Sequence, residues 1–189
     1  MHPRMQELLA FMDEQYAAFC ATADAVPPAD RERQPAEGCW SVAQVVDHVG
    51  RVEGMFAGFV TQSLAEARAQ GVAAEARTDS VIAPAMLAKL SDRSFKRNAP
   101  EPAHPAPDAR YEDARAALDA AHRRGRDLLA GAEGLALETV TMPHPSLGVL
   151  NLYEWGVAVG GHERRHAEQI REIAATLASA PAEGAAGHV

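Results

Sequence analysis

The 189-residue sequence predicts an all-α fold, a four-helix bundle with one long crossover between its second and third helices. Two observations carry that prediction. Four long stretches place apolar residues at three- and four-residue steps, the period of one helical face. No stretch alternates convincingly with period two, so no strand is expected.

The first helix is read over residues 4–25. Met5, Leu8, Leu9, Met12, Tyr16 and Phe19 form its stripe, and Pro27 and Pro28 end it. The second opens at Ser41, where Ser41 and Gln44 fit a capping box, and runs to about Ala69. Its stripe is Val42, Val45, Val46, Val49, Val52, Phe56, Phe59 and Val60. Gly50, Gly54 and Gly58 recur every four residues; they weaken the helix but could admit a close neighbour. Residues 71–107 are irregular, with a short helix expected over 84–90. Alternating prolines in NAPEPAHPAP favour extended chain. The third helix is read from Asp108, its candidate N-cap, to Ala130, with Gly131 and Gly134 beyond. TMPHPSLGVL reads as turn-rich. The fourth begins at Asn151 as N-cap and continues to about Ala178. Residues 1–180 thus read as one domain and 181–189 as a flexible tail.

Composition limits the function. Hydrophobic residues make up 47% of the chain, ample for a core, and the formal net charge is −8 without a basic run. A duplex-binding surface needs concentrated positive charge, so no nucleic-acid partner is expected. No apolar run approaches the ~20 residues of a membrane span. The first residues are amphipathic and lack the pattern of a signal peptide, so a cytoplasmic location is expected. Cys20 and Cys39 are in no C-x-x-C pair and read as reduced thiols, although Cys39, beside Trp40 in a loop, could be reactive.

His162 and His166 are four residues apart in GGHERRHAEQI and share one helical face, where two imidazoles can chelate one metal ion. Alone, such a pair could equally be solvated. His48 changes the balance because it lies within the apolar stripe of the second helix, and bundles build metal sites from inward-facing side chains on different helices. Three histidines leave positions open for water or substrate. With the second and fourth helices antiparallel, His48 lies about 10 Å from one helix start and the pair roughly 20 Å from the other helix's end, in the same half of the bundle.

The string H-E-R-R-H also matches the zinc-protease pattern, but Gln169 stands where the extended pattern has glycine, and only 23 residues follow His166. Glu163 is a candidate catalytic base or support for a ligand, with a solvated carboxylate the more ordinary reading. His2, His104, His122, His144 and His188 are weaker candidates; His2, His122 and His188 read as exposed. Asp13 and Asp47 could orient a ligand histidine, but surface positions suit them better. Trp40 could wall a pocket or anchor the core.

The pieces WSVAQVVDHV and HPSLGVLNLYEWGVAVGGHERRHAEQI, with FKRNAPEP more loosely, resemble the DinB-like superfamily, the DinB/YfiT-like metalloenzymes. The resemblance covers nearly the whole chain. It implies an up-down-down-up bundle and a divalent metal, usually zinc or nickel, held at the positions of His48, His162 and His166. It also implies frequent homodimers. Relatives include thiol-dependent S-transferases and a mycothiol-dependent maleylpyruvate isomerase; others are proposed hydrolases. The expectation is therefore a metal-dependent enzyme acting on a small molecule, by thiol transfer or hydrolysis, with a low-molecular-weight thiol as cosubstrate. The alternatives are a non-catalytic metal- or small-molecule-binding stress-response bundle, and a structural bundle with core histidines.

Overall fold

The computed structural model describes residues 1–91 and 99–179. The tail expected at 181–189 and the FKRN part of the crossover lie outside the described residues. The long helices are α1 (Pro3–Asp24), α2 (Val42–Gln70), α4 (Tyr111–Ala130) and α5 (Leu152–Ser179), with a short α3 (Pro84–Ser91) in the connection. No described helix is long and apolar enough to cross a membrane.

Side-chain neighbours fix the helix directions. Gly50 of α2 meets Leu118 of α4, and Gly125 of α4 meets Phe56 of α2, so these two helices run parallel. Gly156 and Gly160 of α5 meet Leu8 and Phe11 of α1, a second parallel pair. Arg126 of α4 pairs with Asp13 of α1, and Arg115 with Asp119 next to Tyr16, so α1 and α4 are antiparallel. The order is therefore up-down-down-up.

Local chemistry explains most boundaries. Ser41 and Gln44 make the expected reciprocal cap: the Gln44 N–H donates to Ser41 Oγ at 3.2 Å, and the Ser41 N–H donates to Gln44 Oε1 at 2.9 Å. Gly71 closes α2 at φ +70°, a left-handed position that glycine adopts without strain. Asn151 and Glu154 form a second reciprocal cap on α5, at 3.0 and 2.8 Å. Of the three α2 glycines, Gly50 alone serves a close approach. A Cβ there would lie 3.3 Å from the Leu118 backbone, whereas Gly54 and Gly58 face open space.

Two boundaries differ from expectation. Helix α4 begins at Tyr111 rather than near Asp108, and Arg110 provides no side-chain cap. The Tyr111 N–H donates instead to Glu32 Oε1 at 3.2 Å, so another segment does the capping. The turn-rich segment before α5 holds an antiparallel hairpin, β1 (Thr141–His144) and β2 (Gly148–Asn151), turned at Gly148 with φ +86°. Its strands are four residues long and β1 contains Pro143, so their alternation is too brief to stand out.

The core is divided. One apolar cluster joins Met5–Met12 of α1 to Phe56–Ala67, Leu129 and Leu152–Val159. The other joins Phe19–Val26 to Val42–Val49, Tyr111–Leu118 and Ala167–Leu177. Between them each long helix carries polar side chains: Asp13 and Tyr16, His48 and Glu53, His122, and His162, Glu163 and His166.

Candidate metal centre

His48 is buried on α2 and its ring is aimed by the crossover. The crossover segment 99–107 carries a 3-10 turn, Glu101–Ala103, and the Ala103 carbonyl lies 2.7 Å from His48 Nδ1. A carbonyl only accepts, so Nδ1 carries the proton and Nε2 the lone pair. Two α2 residues pin the same segment: Gln44 Nε2 donates to the Ala106 and Pro107 carbonyls, and the Ala106 N–H donates to Asp47 Oδ2 at 2.7 Å. The proline-rich connection is thus part of the site. Asp47, expected at the surface, acts on His48 through it.

His162 and His166 project from α5 toward His48. The Nε2 of His162 lies 3.2 Å from Nε2 of His48 and 3.1 Å from Nε2 of His166. His166 Nδ1 donates to Gln169 Oε1 at 2.8 Å, leaving its Nε2 lone pair facing His162. Nitrogen ligands about 2.0–2.1 Å from one tetrahedral ion are roughly 3.3 Å apart, so the three rings fit a single ion. The hydrogen bonds on the far nitrogens resemble those that hold metal-ligand imidazoles in one tautomer. Burial lowers the pKa of His48, and burial with the neighbouring His166 and His48 holds that of His162 well below the usual imidazole value. Both rings are thereby kept in the neutral form that a metal requires.

A pocket of about 1090 Å³ opens in front of these rings. Trp40, Phe56, Phe59 and Trp155 supply aromatic wall, Pro100 and Pro102 of the crossover another side, and Arg165 and Gln169 polar lining. Trp40 combines both roles foreseen for it, packing on the core and lining the pocket with its ring 5.0 Å from that of His48. Cys39 is exposed and lines the pocket too, while Cys20 is buried. His144, a weaker candidate by sequence, also lines it, its ring 4.8 Å from Trp155.

Glu163 is placed otherwise. It is fully buried, not solvated, and is absent from the pocket lining. Its carboxylate belongs to a cluster with Glu53 and His122, and burial beside Glu53 holds its carboxyl well above the usual carboxylate range. His122 was expected to be exposed; it is buried with Nδ1 3.1 Å from Glu53 Oε2. The signal for Glu53 and His122 was in the helical spacing. Glu53 lies four residues after Val49 and three before Phe56, and His122 four after Leu118. Among the described residues, His48/His162/His166 and Glu53/His122/Glu163 are the two groups with the donor spacing of a metal site.

A family model described as the DinB superfamily matches residues 12–170. The chain is 26% identical over 142 residues to "Uncharacterized protein YuaE" of Bacillus subtilis (strain 168), covering 75% of this chain and 81% of that protein. It is also similar to the crystal structure of TT2238, a four-helix bundle protein, with a TM-score of 0.53 and 21% identity over 89% of this chain and 98% of the other. That likeness concerns the fold.

Proposed function

The chain belongs to the DinB superfamily, a metal-binding superfamily, and from that membership and its site geometry we propose a metal-dependent enzyme that acts on a small molecule. In this reading His48, His162 and His166 hold one divalent cation, zinc or nickel. The observation that carries it is the convergence of three Nε2 atoms at the floor of a large pocket. Such a cation supplies Lewis acidity and lowers the pKa of a thiol or water that it binds.

The chain's own residues do the rest. Ala103 and Gln169 fix two imidazoles so that their lone pairs converge before substrate arrives. The aromatic wall takes an apolar substrate body and excludes water, and Arg165 and Gln169 offer polar contacts beside the histidines. Thiol transfer is the leading reaction: the thiol loses its proton to solvent, its sulfur bonds to an electrophilic carbon, and the leaving group departs with the electron pair of the bond that breaks. Water in the thiol's place would give hydrolysis. A saturated, non-catalytic site would need a fourth protein ligand; among the described residues this group has three, with the pocket in front.

The test is metal analysis of protein purified without a histidine tag, followed by rate measurements with a low-molecular-weight thiol and a model electrophile. One equivalent of metal lost in His48→Ala, together with a rate that falls with it, is expected. Equal rates for wild type and His48→Ala would sink the mechanism.

A further inference from the structure

The centre of the bundle holds a second set of ligand side chains, one from each of three long helices and a fourth residue behind them. Glu53 comes from α2, His122 from α4 and Glu163 from α5. His122 Nδ1 is 3.1 Å from Glu53 Oε2 and 3.9 Å from Glu163 Oε1. Glu163 has no exposed surface, and both of its carboxylate oxygens lack a hydrogen-bond partner, as does Glu53 Oε1. Buried polar atoms almost always have partners, and an unpartnered carboxylate is costly to bury. Three buried oxygens without a donor, on two carboxylates that meet one imidazole, point to an occupant.

The far side of His122 is arranged to match. Its Nε2 faces Asp13 Oδ1 at 3.5 Å, and Arg126 Nε grips both Asp13 oxygens at 2.8 and 3.0 Å. Tyr16 stacks on the imidazole with centroids 3.8 Å apart and planes 12° from parallel. A proton on Nε2, directed at Asp13, would leave the Nδ1 lone pair for a cation shared with the two carboxylates, in place of the hydrogen bond that Nδ1 otherwise donates to Glu53 Oε2. A carboxylate behind an imidazole in this way is the arrangement that orients histidine ligands on metals.

We propose that Glu53, His122 and Glu163 bind a divalent first-row transition cation as a closed structural site, distinct from the three-histidine centre. Two carboxylates and one neutral imidazole balance a dication, and this oxygen-rich set with one nitrogen suits manganese and zinc. None of the three residues lines the pocket, so the ion would tie helices together rather than meet substrate. The rival occupants are protons, one shared between the carboxylates and one making the imidazole cationic.

The experiment uses the full-length untagged chain, stripped with chelator, equilibrated with Mn²⁺ or Zn²⁺ and freed of excess. Metal per chain is then measured for wild type, His48→Ala/His162→Ala and Glu53→Gln/Glu163→Gln. Two equivalents in wild type and one in each double variant are expected. In the His48→Ala/His162→Ala background, metal at 100-fold over its Kd should also raise Tm by roughly 5–10 °C. Adding Glu163→Gln should abolish that rise. Wild type and Glu53→Gln/Glu163→Gln binding the same number of ions overturns the site, whether that number is one, with protons as the occupants, or two, with the second ion at the surface. A single wild-type equivalent that survives in His48→Ala/His162→Ala supports this site while removing the three-histidine one. That comparison needs only the glutamine variants if the histidine variant fails to fold.

Discussion

Two groups of three side chains with the donor spacing of a metal site occupy one polar belt, yet their surroundings are opposite. His48, His162 and His166 line a pocket, and hydrogen bonds on the outer nitrogens of His48 and His166 leave their lone pairs facing His162. Glu53, His122 and Glu163 are buried in the bundle, with three carboxylate oxygens that have no hydrogen-bond donor. A cation held by the open group could exchange its other ligands, whereas one held by the closed group would bear on the stability of the bundle. Adjacent residues on α5 serve both, since His162 faces one and Glu163 the other, about 100° round the helix.

If that division is right, the largest stability effect should come from the closed group. His122→Ala removes the only nitrogen there and leaves Glu53 and Glu163 facing each other. Breaking a buried charged group in this way costs about 3–5 kcal/mol, read as a fall in the urea midpoint. His48→Ala, at the pocket, should cost distinctly less. A reversed order would break the comparison.

The open group should dominate metal uptake at the pocket and activity. Losing an imidazole ligand should exceed the 10–100-fold that loss of its supporting partner costs, so His162→Ala should weaken metal binding by more than about 100-fold. His122→Ala should leave pocket chemistry in whatever fraction remains folded. Gln169→Leu removes the partner of His166 Nδ1 without touching a ligand and should weaken metal about 10–100-fold with the far-ultraviolet spectrum unchanged. An unaltered affinity would mean that Gln169 is a bystander.

The open group was far more legible in the sequence than the closed one, for a physical reason. His162 and His166 announce themselves by spacing, and His48 by interrupting a run of valines. Glu53, His122 and Glu163 interrupt stripes in the same way. A charged residue on a helix is ordinarily solvated, however, and no local pattern shows that three such interruptions meet. Helix boundaries followed from periodicity and caps where the cap is local, as at Ser41 and Asn151. The start of α4 was misplaced because its capping partner comes from afar, Glu32 for Tyr111. The hold of Ala103 on His48 spans 55 residues of sequence, beyond any local reading.

The smallest expected effect concerns pH, and the two groups should pull in opposite directions in metal-stripped protein. Burial lowers the pKa of His48 and His162. Below the unfolded value of about 6.5 the unfolded chain takes up protons that the folded chain refuses, so stability falls as pH falls. Burial beside Glu53 raises the pKa of Glu163. Above the unfolded value of about 4.5 the unfolded chain releases a proton that the folded chain keeps, so stability falls as pH rises toward the folded pKa. Between about pH 4.5 and 6.5 the slopes oppose, each limited to about 1.4 kcal/mol per pH unit per proton. Glu163→Gln should therefore steepen the loss of stability on acidification, and His48→Gln/His162→Gln should flatten it. Urea midpoints across this window, measured in chelator, separate the two contributions. Parallel profiles for all three proteins would show that neither group is held in the protonation state its burial demands.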